Sequence, residues 1–496
     1  MFRKKFLLPL LAFAIPLLIR LIPEVLMGPY VVGFDTMAYY LPTTTLWLHG
    51  GISLGSFIAT APLLYSLTAG LTLTSGSLIL VLKVLPSVLL GLLGLSMYVY
   101  ARRGLGWSPT KSLIPALVGT LYFVALRISW DALREELALI FFFVVLTLLF
   151  VNSKKEKFSW KGYAAFSLAL AAVVLSNQVI AAIVLGVLLF TVLYKFIKRS
   201  HIEATRTILF SLPAVILFFV TFYLSPAVPE YRLIFGFPTT TDGWLALFGY
   251  PSYQAMLGAE AGFVVYCFLP LLPLALLSVK RFKNFQMRSW VVLTFAACFV
   301  PMVSPSDLRV VMLLVYPLAF YATEGLSRLK SIRWKRHGIS SLRIGLVYLM
   351  LVTAVLSLGF MVMTPQNPFP YFNPEINAYI YTIPSSMLQN TVSITDCKST
   401  VNALNWLKDN MTGNSVLLVH RVFYGWAISK FNPDQLIMYE FGNPLDAAAT
   451  ATQQGYSQIY LIWWVNGKGW DGQPTVAPAF HQIYQSGDIA IYEYEA

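Results

Sequence analysis

Apolar residues run along this chain in long blocks separated by short polar segments. Read as helices, the blocks give eleven spans at approximately 6–27, 78–100, 112–128, 137–151, 162–175, 179–197, 207–224, 261–279, 289–303, 310–326 and 344–364. The first block, from Phe6 to Met27, would be about 33 Å long as a helix, enough to cross a bilayer. It carries Pro9, Pro16 and Pro23, and no small-residue cleavage site follows. It therefore reads as a retained helix and not as a signal peptide. The stretch 52–74 is apolar but rich in Gly, Thr and Ser. It is expected to form surface-lying or re-entrant helices.

Beyond Pro365 the pattern changes. A linker rich in Pro, Asn and Tyr (364–374) leads into an amphipathic helix near Thr400–Asn410, with Val401, Leu404 and Leu407 on one face. Strand-like runs follow at Val416–His420, Gln435–Tyr439, Gln458–Trp464 and Ile489–Tyr494, with helical stretches near Pro444–Gln454 and Val476–Tyr484. The expected architecture is an all-α polytopic membrane domain (1–364) followed by an extracytoplasmic α/β domain (365–496).

Charge orients this layout. Basic residues gather between alternate spans, at Arg3–Lys5, Arg102–Lys111, Lys154–Lys161, Lys195–Arg206, Lys280–Arg288 and Arg328–Arg343, whereas Asp35, Asp131, Glu135, Glu136, Glu230, Asp242, Glu260 and Asp307 fall in the other set of loops. The positive-inside rule then puts the N-terminus in the cytoplasm and the C-terminal domain outside, in a multi-pass protein of the cell membrane. A twelfth span at 52–74 would break that alternation. The net charge of +13, on a chain 57% hydrophobic and 11% charged, is thus accounted for by topology, and no nucleic-acid partner is expected. The three cysteines are too scattered for a disulfide framework or a metal site. The inner loops hold no glycine-rich nucleotide fingerprint, so the chemistry belongs to the outer loops.

Two outer loops carry the candidate chemistry. The first holds Gly33-Phe34-Asp35-Thr36-Met37-Ala38-Tyr39-Tyr40, where Asp35 serves either as a general base at the membrane surface or as the N-cap of a helix starting near Thr36. The second, Ser129-Trp130-Asp131-Ala132-Leu133-Arg134-Glu135-Glu136, packs three carboxylates and a guanidinium between two spans. On a continuous helix Asp131 would share a face with Arg134 and Glu135. Arginine suits phosphate through its planar fork, and carboxylates suit a sugar hydroxyl or a divalent cation. Asn177 and Gln178 interrupt an apolar stretch at an outer hairpin, either as substrate contacts or as a polar turn. Arg309, at the outer end of the tenth span, is either an interfacial anchor or a holder of lipid phosphate. Arg20 and Glu24, four apart within the first span, pair or snorkel outward.

With Gly33-Phe34-Asp35 leading to Tyr39-Tyr40, Asp131 leading to Arg134-Glu135, and Asp307-Leu308-Arg309 leading to Pro317, the chain resembles the GT-C superfamily of integral-membrane glycosyltransferases. That group includes protein O-mannosyltransferases, aminoarabinose transferases and the catalytic subunit of oligosaccharyltransferase. The likeness departs where Thr36 replaces the second acid of the mannosyltransferase-type pair. It departs again at Val422-Phe423-Tyr424-Gly425-Trp426, which keeps only Tyr-Gly of the oligosaccharyltransferase motif; Trp463-Trp464-Val465-Asn466-Gly467 lacks that motif's aspartate.

The resemblance implies a hexosyl or pentosyl transferase drawing on a polyprenyl-phosphate sugar and passing it to a lipid, glycan or protein acceptor by inverting attack. It implies Asp35, Asp131 and Glu135 as catalytic groups, and Arg134, Arg309, Tyr39, Tyr40, Asn177 and Gln178 as substrate contacts. A divalent metal, Mg or Mn, would bridge Asp35 and Asp131. The alternatives are a transporter or lipid flippase, for which Lys83 is the one suggestive residue, and a non-catalytic cell-envelope scaffold.

Overall fold

The computed structural model of the protein describes residues 2–33, 35–49, 54–59, 61–153, 158–224, 245, 250–299, 307–329, 341–363, 367, 369–373, 394–439, 443–465 and 476–495. Among these, seven helices are long and apolar enough to cross a membrane: Phe6–Leu26, Leu78–Gly104, Leu133–Ser153, Gln178–Ile197, His201–Thr221, Arg309–Leu329 and Ser341–Val362. Two bent pairs bring the number to nine. Pro109–Leu121 and Phe123–Asp131 meet at 58°, and Tyr253–Phe268 and Leu272–Ser278 meet at 93°. The first bend follows from Tyr122, whose backbone is extended and whose hydroxyl donates to the Cys267 carbonyl at 2.6 Å. The second lies at Leu269-Pro270-Leu271, where proline supplies no N–H to continue the helix.

The expected count of eleven spans is therefore not reproduced among the described residues. The block 162–175 is the helix Trp160–Ser176, whose 17 residues reach about 25 Å. It is bounded by Ser159 and Asn177, whose side chains cap the helices that follow them. The block 289–303 is the helix Phe285–Cys298, and residues 300–303 lie outside the described residues. The stretch 52–74 holds two short helices, Leu54–Ala59 and Leu63–Ser75, neither long enough to span.

Close packing holds the bundle together. The first helix, Phe2–Leu26, lies along Leu78–Val99. A Cβ at Gly94 would come within 2.3 Å of the Ala12 carbonyl oxygen, so only glycine lets the two backbones approach this closely. Further in, Phe142, Phe143, Trp290, Tyr316 and Phe320 build one aromatic core, with Phe142 and Trp290 centred 4.6 Å apart.

The C-terminal region is α/β. Its five strands are β1 (Ser415–His420), β2 (Leu436–Tyr439), β3 (Gln458–Trp464), β4 (Phe480–Ser486) and β5 (Ile489–Tyr494), in the order β2-β1-β3-β5-β4. The first three pair in parallel, and β5 and β4 complete the sheet antiparallel. The helix expected at 476–484 is instead strand β4. Phe480-His481-Gln482-Ile483-Tyr484 lies beside Gly487, whose φ of +56° makes the tight turn into β5, and pairing with β5 overrides the local pattern.

The sheet region and the start of the first loop lie at one end of the bundle. The helix Arg421–Ile428 packs against the π-helical turn Thr36–Tyr40, and the Tyr30 hydroxyl donates to Asn402 Oδ1 at 3.5 Å.

Candidate active site

The site is assembled from Gly33 to Tyr40 on one side and Arg127 to Glu135 on the other. Gly33 has a φ of +106°, and a Cβ there would sit 2.8 Å from the Trp130 carbonyl oxygen. Glycine thus allows two segments almost a hundred residues apart to touch. Next to it, the Asp35 backbone N–H donates to Asp131 Oδ1 at 3.4 Å. Asp35 stands at the N-cap position of the turn Thr36–Tyr40, but its backbone is helical and its carboxylate makes no capping bond. The capping alternative for Asp35 falls on that observation.

Asp131 is buried. It ends the helix Phe123–Asp131, and Arg127, one turn earlier, forms an ion pair with its Oδ2. The chain breaks at Ala132 before the next helix, Leu133–Ser153, begins. Asp131 therefore does not share a continuous helical face with Arg134 and Glu135, as the spacing had suggested. The Tyr40 hydroxyl bridges the break: it donates to the Asp131 carbonyl at 2.9 Å and accepts from the Leu133 N–H at 3.2 Å. Both backbone groups freed by the break are thereby satisfied. Burial, then the carboxylates of Glu135 and Asp35, hold the Tyr40 hydroxyl well above the ordinary tyrosine range, so it remains a donor at neutral pH.

Electrostatics around Asp35 are mixed. Its side chain keeps some exposed surface, yet dense surrounding protein makes burial the largest influence on its proton affinity. Burial and the neighbouring Asp131 raise its pKa from 3.8 to about 7; Arg309 and Arg127 oppose them, and Glu135 adds a smaller upward push. A carboxyl tuned near neutrality is suited to accept a proton from a hydroxyl.

The structure gathers Asp35, Asp131, Glu135, Arg134, Arg309 and Tyr40 into one neighbourhood. Arg134 and Glu135 act on Tyr40 and Tyr65, and Arg309, exposed at the head of its helix, acts on Asp35. Tyr39 is exposed beside them. Asn177 and Gln178 are different. Both are buried, and Asn177 Oδ1 accepts from the Ile180 N–H at 2.9 Å, capping the helix Gln178–Ile197. Arg127 was missed from sequence. Its spacing of four before Asp131 was a readable signal, but it lay inside the expected span 112–128.

Both oxygens of Asp131 are engaged, one by Arg127 and one by the Asp35 N–H, and among the described residues no group of three His, Cys, Asp or Glu is placed to hold a metal.

No family model matches the chain, and no curated protein matches it. Among solved structures, the chain is similar to ArnT from Cupriavidus metallidurans bound to undecaprenyl phosphate, at 11% identity and a TM-score of 0.49, covering 97% of each chain. It is similar to the same protein in the apo state at 12% identity and a TM-score of 0.47, again over 97% of each. It is also similar to the arabinofuranosyltransferase AftD from Mycobacteria at 13% identity and a TM-score of 0.49, covering 97% of this chain and 41% of that one.

Proposed function

We propose that the protein is a membrane glycosyltransferase that moves a sugar from a polyprenyl-phosphate carrier to an acceptor hydroxyl at the outer membrane surface. The observation that carries the reading is the Asp35 carboxylate: free of any capping bond, held beside Asp131, and poised near neutral pH. In this mechanism Asp35 takes the proton of the acceptor hydroxyl. The acceptor oxygen then bonds to the anomeric carbon from the face opposite the leaving group. The bond from that carbon to the phosphate oxygen breaks, and polyprenyl phosphate departs with the bonding electrons.

Arg309 and Arg134 supply guanidinium groups of the kind that hold a phosphate as its negative charge grows. Asp131, fixed by Arg127, keeps the pKa of Asp35 raised and so keeps it basic enough for the transfer. No step runs through a metal. Lys83, which favoured a transporter, forms an ion pair with Glu24 at 3.5 Å, and that pairing accounts for a cation at this depth.

The test is to incubate the purified protein in nanodiscs with labelled polyprenyl-phosphate sugars and a panel of lipid, glycan and peptide acceptors. Sugar transfer, or slow hydrolysis of the donor, is expected from the wild type and not from Asp35→Asn. Equal turnover by both proteins, or none by the wild type across the panel, would sink the reading.

A further inference from the structure

The two halves of the site hang from one largely buried set of charges that no catalytic role requires. Arg20 in the first helix is fully buried and pairs with Glu24 through Nη1 at 3.0 Å. Its Nε donates to the Ser129 carbonyl at 3.4 Å, and its guanidinium lies 4.6 Å from the Trp130 ring centre. Arg20 thus grips the two residues that precede Asp131. On the other side of Glu24, Lys83 Nζ approaches the second carboxylate oxygen at 3.5 Å and donates to the Tyr30 carbonyl, three residues before Gly33. One carboxylate therefore joins a tether on the first loop to a tether on the second.

Burying Arg20 and Glu24, with Lys83 partly buried beside them, is costly unless each is paired and hydrogen-bonded, and such a cluster stabilises poorly compared with an apolar replacement. What it does supply is fixed geometry. The two segments touch directly: a Cβ at Gly33 would sit 2.8 Å from the Trp130 carbonyl oxygen, and the Asp35 N–H reaches Asp131 Oδ1 at 3.4 Å.

We propose that Arg20, Glu24 and Lys83 are positioning residues, a buried bracket that holds the Asp35 and Asp131 segments at their working separation. Its catalytic consequence rests on the glycosyl-transfer reading; its structural part does not.

The experiment compares wild type, Lys83→Met and Lys83→Arg in nanodiscs by hydrogen–deuterium exchange, thermal unfolding and sugar transfer. In Lys83→Met, exchange in the peptide covering 29–33 is expected to rise on the order of tenfold while the C-terminal sheet is unchanged. The kcat for transfer is expected to fall by roughly tenfold to a hundredfold, with KM for the donor moving less than about twofold, because misplacement of about 1 Å slows chemistry without removing donor contacts. Lys83→Arg keeps a cation within reach and is expected to restore both. Arg20→Lys is expected to loosen the peptide covering 128–131 instead.

Unchanged exchange at 29–33 in Lys83→Met overturns the bracket. So does a loss of kcat that Lys83→Arg fails to rescue, or one that only tracks a drop in folded protein. If the wild type transfers no sugar, the functional reading fails, and the exchange comparison still decides the bracket.

Discussion

The turns at Asp131 and at Asn177 look alike in sequence: each is a short polar interruption between apolar helices. In the structure they serve different ends. Asn177 answers a need of its own helix, since its side chain caps the N–H of a residue three positions on. Asp131 answers to distant chain, receiving Arg127 from its own helix, the Asp35 N–H from the first loop, and a hydroxyl bridge from Tyr40 across the break that follows it. A polar residue at a membrane-helix end becomes a candidate for chemistry when its partners come from elsewhere in the chain.

The sharpest way to break that contrast is at Asp35. Replacement by Asn should lower kcat on the order of a hundredfold to ten-thousandfold while the thermal midpoint stays within a few degrees, measured on the same preparation. Arg127→Gln should follow with a loss of roughly tenfold to a hundredfold, since it leaves Asp131 buried without its cation.

pH is a finer probe. With Asp35 acting as base, turnover should rise through pH of about 7 and fall off below it; in Arg309→Gln, which removes the largest charge lowering that pKa, the acid limb should move upward. The stability linkage has the opposite sense. The folded state holds this proton more tightly than the unfolded chain, so the contribution of Asp35 to stability is full below pH 3.8 and is lost as pH rises through about 7. Unfolding temperatures of wild type and Asp35→Asn across that window would show it.

Tyr40→Phe should cost about 1–2 kcal/mol by leaving the Asp131 carbonyl and the Leu133 N–H without their bridge. Asn177→Ala should cost about 1 kcal/mol, and Asn177→Asp, which also caps, should recover most of it. A far larger effect at Asn177 than at Tyr40 would erase the distinction between the two turns.

What could be read from the sequence divides along the same line. Hydropathy located the apolar helices but not their number or bends, and strand-like runs located four of the five strands, because these patterns are local. β4 escaped because its partner, β5, decides its form. The loops carrying Asp35 and Asp131 were identified by their carboxylates, but Arg127 was hidden inside an apolar block. The break at Ala132 was equally unreadable, since no proline or glycine marks it and it is held by Tyr40, some ninety residues earlier. The paired state of Arg20 and Glu24 was legible from their spacing of four; their grip on Ser129 and Trp130 was not.

The contact between the turn Thr36–Tyr40 and the helix Arg421–Ile428 has a consequence for biosynthesis. A ribosome makes the first of these segments several hundred residues before the second, so the turn beside Asp35 emerges long before the helix that packs against it. Membrane insertion and maturation of the site are thus separated in time. A nascent chain halted between residues 136 and 420 would carry every carboxylate of the site and still lack the helix that packs against the turn.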